Sequence, residues 1–267
     1  MPELPEVETA RRTLAPLVVG RRIVRVEVLR PEAVRSHSAV EASRLLVGRT
    51  VDGVSRRGKA LLFDLDAGWT LAFHFSLWGV ILAKSPPAVD AQTAVVLHLD
   101  DGRVIEFREL QLSNLNLYRR AELDRVPYLA SLGVDPLDRS VTPARFRELL
   151  NGRGVVRNLL TDQTRLAGIG NLWAQEILFA AGMRPARKAQ ALTPSGWRRL
   201  YRATRSVLQR GIRAGGEPEF LDATGRKGRF RLGVYGRTGQ PCRVCGTPIR
   251  SGKVGGRPAF FCPNCQK

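Results

Sequence analysis

The chain has 267 residues, 43% of them hydrophobic, and carries 43 lysines and arginines against 24 acidic residues, a formal charge of +19. That length supports one large or two modest domains with sizeable cores, and the charge points to a polyanionic partner. No run of 18 apolar residues occurs and the start lacks the basic and apolar regions of a signal peptide, so no transmembrane helix or secretory leader is expected and a cytoplasmic home is predicted.

The first eight residues, Met1-Pro2-Glu3-Leu4-Pro5-Glu6-Val7-Glu8, have two readings. Pro5 and the acids suit a helix start, where proline loses no hydrogen bond and carboxylates meet the positive end of the dipole. Alternatively, removal of Met1 frees a secondary amine on Pro2 beside the Glu3 carboxylate. An α-amino group has an ordinary pKa of about 7.7–8.0, so a useful fraction is neutral and nucleophilic. A secondary amine that attacks an aldehyde-level carbon gives an iminium ion, a permanent electron sink for elimination.

A helix is predicted over Val7 to Val18, stopped by Gly20. Period-two alternation at Val24, Val26 and Val28, through Leu61 to Leu65, and from Trp69 to Leu77 predicts half-buried strands. Asp101-Gly102 between two apolar runs marks a hairpin. An antiparallel sandwich or flattened barrel is therefore expected from about Arg22 to Tyr118. His37, His74 and His98 are scattered and read as structural.

Pro127, Gly133 and Pro136 punctuate a predicted linker over 124–140, after which the apolar spacing turns helical. Trp197, Leu200, Tyr201, Thr204 and Leu208 form one face of a helix, with Arg198, Arg199, Arg202 and Arg205 turned outward. Between the helices, Gly168-Ile169-Gly170-Asn171 is either a plain corner or a phosphate site built on free N–H groups at the next helix start. Trp197 to Lys267 holds 16 basic and 3 acidic residues, so most of the excess charge lies in the last quarter. Cys242-x2-Cys245 and Cys262-x2-Cys265 close the chain. Disulfides are the alternative, but two such knuckles in a cytoplasmic chain suit one structural zinc, closed by four thiolates and so without an open position for catalysis.

The start Pro2-Glu3-Leu4-Pro5-Glu6, the stretch Arg56-Arg57-Gly58-Lys59, the turn Gly168-Ile169-Gly170-Asn171 and the four-cysteine finger with Arg257 together resemble the formamidopyrimidine-DNA glycosylase and endonuclease VIII family, end to end. The resemblance implies an α+β multidomain fold: an N-terminal β-sandwich preceded by a helix (1–123), the linker (124–140), a helix-two-turn-helix domain (141–232) and a C-terminal zinc-finger hairpin (233–267). It implies a monomeric, nucleoid-associated glycosylase and abasic-site lyase of base excision repair, acting on damaged double-stranded DNA. Pro2 would attack C1′ of a flipped nucleotide and drive β,δ-elimination, with Glu3 as general acid/base at the sugar ring oxygen and Glu6 as a supporting carboxylate. Lys59 would contact phosphate and assist catalysis at the active site, Asn171 and Arg257 would hold flanking phosphates, and Arg157 would contact DNA where the formamidopyrimidine branch has a phosphate-binding lysine.

The chain departs from that branch at the wedge that fills the hole left by the flipped base. In place of its Met, Arg and Phe wedge, Ser76-Leu77-Trp78 is similar to the Gln-Leu-Tyr loop of endonuclease VIII. The segment Gly215 to Leu232, which in that branch closes over 8-oxoguanine, looks short and reads as a basic strap. Oxidised pyrimidines or ring-opened bases are therefore the expected substrates, with purine lesions second. Two rivals stay open at this point: a catalytically idle damage-binding protein, and an enzyme whose nucleophile is Lys59.

Overall fold

The computed structural model describes residues 1–76, 79–85, 89–108 and 114–267, so Leu77 and Trp78 of the expected wedge lie outside the described residues. The chain divides into two compact units, one of residues 1–130 with 218–229 and one of residues 131–217 with 230–267.

In the first unit, α1 (Leu4–Val18) begins a turn before the predicted Val7. Pro5 costs no hydrogen bond there, and the Glu6 carboxylate accepts from the Glu3 backbone N–H at 3.0 Å, so the cap residues themselves close the first turn. Val7, Ala10, Leu14 and Val18 fall on one helical face and are buried in the core. The strands are β1 (Ile23–Val28), β2 (Val51–Arg57), β3 (Ala60–Leu65), β4 (Trp69–His74), β5 (Val80–Lys84), β6 (Thr93–Leu99), β7 (Val104–Arg108) and β8 (Asn114–Arg119), and α2 (Ala39–Leu46) follows β1. They form two antiparallel sheets in the orders β1-β6-β7-β5 and β2-β3-β4-β8. Phe63 of β3 and Phe73 of β4 meet Phe107 of β7 with ring centroids 6.0 and 5.1 Å apart, which joins the inner faces of the sheets.

The Asp101-Gly102 hairpin forms as read, joining β6 to β7. The half-buried reading of β3 and β4 is corrected: Thr70 and Ala72 are buried as well as Trp69, Leu71 and Phe73, because both faces of β4 are covered. β4 also ends at His74, short of Leu77. Within the expected linker, α3 (Pro127–Ala130) packs Leu129 into the first unit.

The strap over 218–229 returns to this unit. Phe220 and Ala223 sit in its core, the Ala83 N–H donates to the Ala223 carbonyl at 2.7 Å, and the Ala223 N–H donates to Thr13 Oγ1 at 3.2 Å. The Asp222 carboxylate accepts from the Thr224 and Arg226 N–H groups at 2.8 and 3.0 Å, fixing a turn that leaves Arg226, Lys227 and Arg229 exposed.

The second unit holds α4 (Pro143–Leu149), α5 (Val156–Thr161), α6 (Asn171–Ala180), α7 (Pro194–Arg213) and the hairpin of β9 (Arg250–Val254) and β10 (Arg257–Phe261). On α7, Trp197, Leu200, Thr204 and Leu208 are buried and Arg198, Arg199 and Arg202 exposed, as the spacing predicts, with Pro194 opening the helix behind a Thr193 cap. Between α5 and α6, Gln163 clamps the turn by donating to the Ile169 carbonyl at 2.7 Å and accepting from the Gly168 N–H at 2.9 Å. Gly168 has a φ of 99°, a left-handed backbone that only glycine adopts freely.

Candidate functional site

Three groups of the first unit carry the predicted chemistry. Pro2 is buried and Glu3, in extended backbone at φ −114° and ψ −167°, caps α1 with its side chain only 4% exposed. Glu6, buried behind it, holds the Glu3 backbone through the bond described above, so the carboxylate of Glu3 is carried on a fixed main chain. Further along α1, Glu8 takes Arg11 at 2.8 Å and Arg12 at 2.7 Å and approaches Arg56 of β2 at 3.5 Å. Burial alone would raise the Glu8 pKa, but these guanidinium groups outweigh it and bring it down to about 2. The helix that bears Pro2 and Glu3 is thereby tied to the strand that leads to Lys59.

Lys59 stands at the tip of that strand's hairpin. Arg57 pairs with Ala60, which leaves Gly58-Lys59 as a two-residue loop, and Gly58 at a φ of 58° supplies the first central position of a II′ turn. His74, at the end of β4, lines a cavity of about 430 Å³ with Ser76, Asn114, Asn116, Tyr118 and Tyr128. Ser76 has a φ of 47° and its backbone N–H donates to His74 Nδ1 at 3.2 Å, so the imidazole proton sits on Nε2. Burial, reinforced by the Lys59 charge, lowers the His74 pKa to about 4. The unfolded imidazole takes up its proton below about pH 6.5 while the folded one stays neutral. Stability should therefore fall as pH drops from about 6.5 to 4, and His74→Gln should flatten that part of the denaturant-midpoint profile.

In the second unit Asn171 opens α6 behind the Gly170 N-cap. Arg157 of α5 is 2% exposed, and its guanidinium donates to Asn171 Oδ1, to Asn158 Oδ1 at 3.1 Å and to the Val254 carbonyl at 3.1 Å. Arg157, expected to hold a phosphate, is thus buried and joins α5, Asn171 and the chain before the finger turn. Gly255-Gly256, with φ of 56° and 74°, make the two-residue turn after Val254, and Arg257 follows it exposed at the start of β10. A Cβ on Gly255 would lie 2.8 Å from the Asn158 amide, so the hairpin and α5 approach too closely for another residue.

The four cysteines converge, with every pair of sulfurs within 4.8 Å. Cys242 and Cys265 lie 3.8 Å apart and Cys245 and Cys262 3.5 Å apart. A tetrahedron of Zn–S bonds of about 2.3 Å requires sulfurs about 3.8 Å apart, so the set fits zinc. The Val244 and Cys265 N–H groups point at Cys242 and Cys262 sulfur, both at 3.4 Å, the polarity a thiolate demands.

Sequence reasoning missed two residues of α6. Gln175 and Glu176 are both buried in an apolar helix, and Glu176 accepts from the N–H groups of Gly233, Val234 and Tyr235 at 2.8, 3.0 and 2.9 Å. Two polar residues inside Leu172-Trp173-Ala174…Ile177-Leu178-Phe179 were the available signal.

Among the described residues, no helix is long and apolar enough to cross a membrane. Three family models match the chain in order: the formamidopyrimidine-DNA glycosylase N-terminal domain over 1–112, its H2TH domain over 132–220, and the zinc finger found in FPG and IleRS over 239–267. The curated formamidopyrimidine-DNA glycosylase of Pelotomaculum thermopropionicum is 40% identical over 276 residues, covering 100% of this chain and 99% of the relative. A crystal structure of Lactococcus lactis Fpg with abasic-site DNA matches with a TM-score of 0.89 at 30% identity over 99% of each chain. The same protein with an oxidized pyrimidine containing DNA matches with a TM-score of 0.89 at 31% identity over 100% of each chain. The finger is a zinc-binding site formed by Cys242, Cys245, Cys262 and Cys265. With matches that run the length of the sequence, the chain belongs to the formamidopyrimidine-DNA glycosylase family, DNA glycosylases of base excision repair with abasic-site lyase activity.

Proposed function

We propose that the protein excises damaged bases through the amine of Pro2, freed by removal of Met1. The Pro2 nitrogen bonds to C1′ as the glycosidic bond breaks and the base leaves with the bonding pair. Glu3 protonates the ring oxygen as the sugar opens to the iminium ion. Loss of a C2′ proton then expels the 3′ phosphate, a second elimination expels the 5′ phosphate, and water releases the sugar fragment from Pro2. Lys59 assists at the phosphate beside the reacting sugar, while Asn171 and Arg257 hold flanking phosphates. The observation that carries the reading is Glu3 itself, a buried carboxylate next to Pro2 whose main chain is fixed by Glu6. Zinc serves the finger only, and the protein acts as a monomer on damaged duplex in the cytoplasm, at the nucleoid.

Ring-opened bases and oxidised pyrimidines are the favoured substrates. Two features support this: Ser76-Leu77-Trp78 replaces the wedge of the formamidopyrimidine branch, and the 218–229 strap is pinned through Phe220 and Ala223. The relatives' shared name, formamidopyrimidine-DNA glycosylase, supports the ring-opened part of this reading, and 8-oxoguanine is the second reading. Single-turnover excision from matched duplexes should release formamidopyrimidine and oxidised pyrimidine lesions faster than 8-oxoguanine. Release of 8-oxoguanine alone would overturn the preference.

A further inference from the structure

Two side chains converge on the oxygen of Asn171. The Arg157 guanidinium donates to Asn171 Oδ1, and Gln175 Nε2 donates to the same atom at 2.9 Å. Neither assignment is free to reverse. Arginine has only donors, so the atom it meets on Asn171 is the oxygen. Gln175 is held by the Phe260 backbone N–H, which donates to its Oε1, so its Nε2 is the end that faces Asn171. The same Nε2 reaches the Pro258 carbonyl at 3.1 Å, next to Arg257. Asn171 is half-buried, and with its oxygen occupied twice, its NH2 is left as the outward donor, reaching the Pro258 carbonyl at a weak 3.5 Å.

We propose that Arg157 and Gln175 are positioning residues that present the donor end of Asn171 to a DNA phosphate, and that Arg157 does not itself bind phosphate. An unrestrained asparagine turns either end outward, and its oxygen would repel a phosphate. Fixing the amide in advance removes that choice before DNA arrives. Arg157 is suited to this where lysine is not. Its fork reaches Asn171, Asn158 and the Val254 carbonyl together, so α5, α6 and the finger hairpin share one planar cation. A lysine offers a single ammonium for the three acceptors. Because the guanidinium is 2% exposed and engaged on all these sides, its charge serves the protein's own acceptors.

The inference rests on the reading of Asn171 as a phosphate contact, and a double-mutant cycle separates the two. The probe is a duplex with one tetrahydrofuran abasic site, which is bound but not cleaved, with affinity measured over a salt series on protein whose folding is checked by thermal melting. Asn171→Ala should weaken binding about tenfold and lower the salt slope slightly if at all, since its contact is neutral. Arg157→Met and Arg157→Lys should each weaken binding about three- to tenfold with the slope unchanged, and neither should add to the loss in the Asn171→Ala background. Full additivity, or a slope reduced by about 0.9 in Arg157→Met, would make Arg157 a phosphate ligand and overturn the proposal. So would an Arg157→Met protein that melts lower yet binds normally when folded, the mark of a merely structural residue. Normal binding by Asn171→Ala would instead remove the phosphate role of Asn171, and the positioning role with it.

Discussion

Replacing Glu176 by leucine should cost the second unit about 3–6 kcal/mol, a large share of the roughly 5–15 kcal/mol that a domain has to lose. Glu176 is 4% exposed and is the acceptor for three consecutive N–H groups, Gly233, Val234 and Tyr235, where the chain enters the zinc finger. Burial pushes its carboxyl pKa up, while the three N–H donors and the nearby Arg237 act against that. Leucine fills the volume but takes the acceptor from two buried donors, Gly233 and Val234, each costing about 1–3 kcal/mol, and from the half-buried Tyr235 N–H, which costs less. The main chain has little room to move away, because Gly233 lies against the Phe179 ring, where even a Cβ would come within 2.6 Å. Gly233→Ala should therefore destabilise the same region by a separate route. Chemical denaturation would measure both, and a Glu176→Leu midpoint equal to that of the parent would refute the assignment.

Glu3→Gln should slow base release by about a hundred- to ten-thousand-fold, the range that a positioned general acid supplies. Its effect on a site that has already lost its base should be much smaller. An abasic sugar opens to the aldehyde on its own, and the Pro2 amine can attack it without protonation of the ring oxygen by the enzyme. The variant should thus separate the two half-reactions: excision lost, strand cleavage at abasic sites kept. The amide keeps the size of the side chain, and the bond to the Glu6 carboxylate comes from the backbone N–H of residue 3, so α1 should fold unchanged. Equal loss of both activities would place Glu3 on the elimination steps instead.

Local chemistry made much of this readable in advance. Asp101-Gly102, the paired CxxC knuckles and the arginine-backed face of α7 each declare themselves within a few residues of sequence, and each formed as expected. What was not legible depends on partners far along the chain. Glu176 meets residues 57 to 59 positions away, and Gln175 meets Phe260 across 85. Nothing local marks Phe220 and Ala223, flanked by acidic and basic neighbours, as core residues of the first unit. Arg157 was only half legible for the same reason: in a strongly basic chain an arginine reads as a phosphate contact, and its burial among Asn158, Asn171 and Val254 shows only in the fold. The helix start that Pro5 and the acids signal is where α1 begins, a turn ahead of the apolar periodicity at Val7, because the Glu6 carboxylate closes the first turn on the Glu3 N–H.

The central claim is that the Pro2 amine is the nucleophile. It is tested most directly by borohydride reduction of the protein, with Met1 removed, on duplex DNA carrying one abasic site, followed by peptide mapping of the covalent adduct. A cross-link on Pro2 that persists in Lys59→Ala is the predicted result. A cross-link on Lys59, or tight binding with no adduct at all, would contradict it.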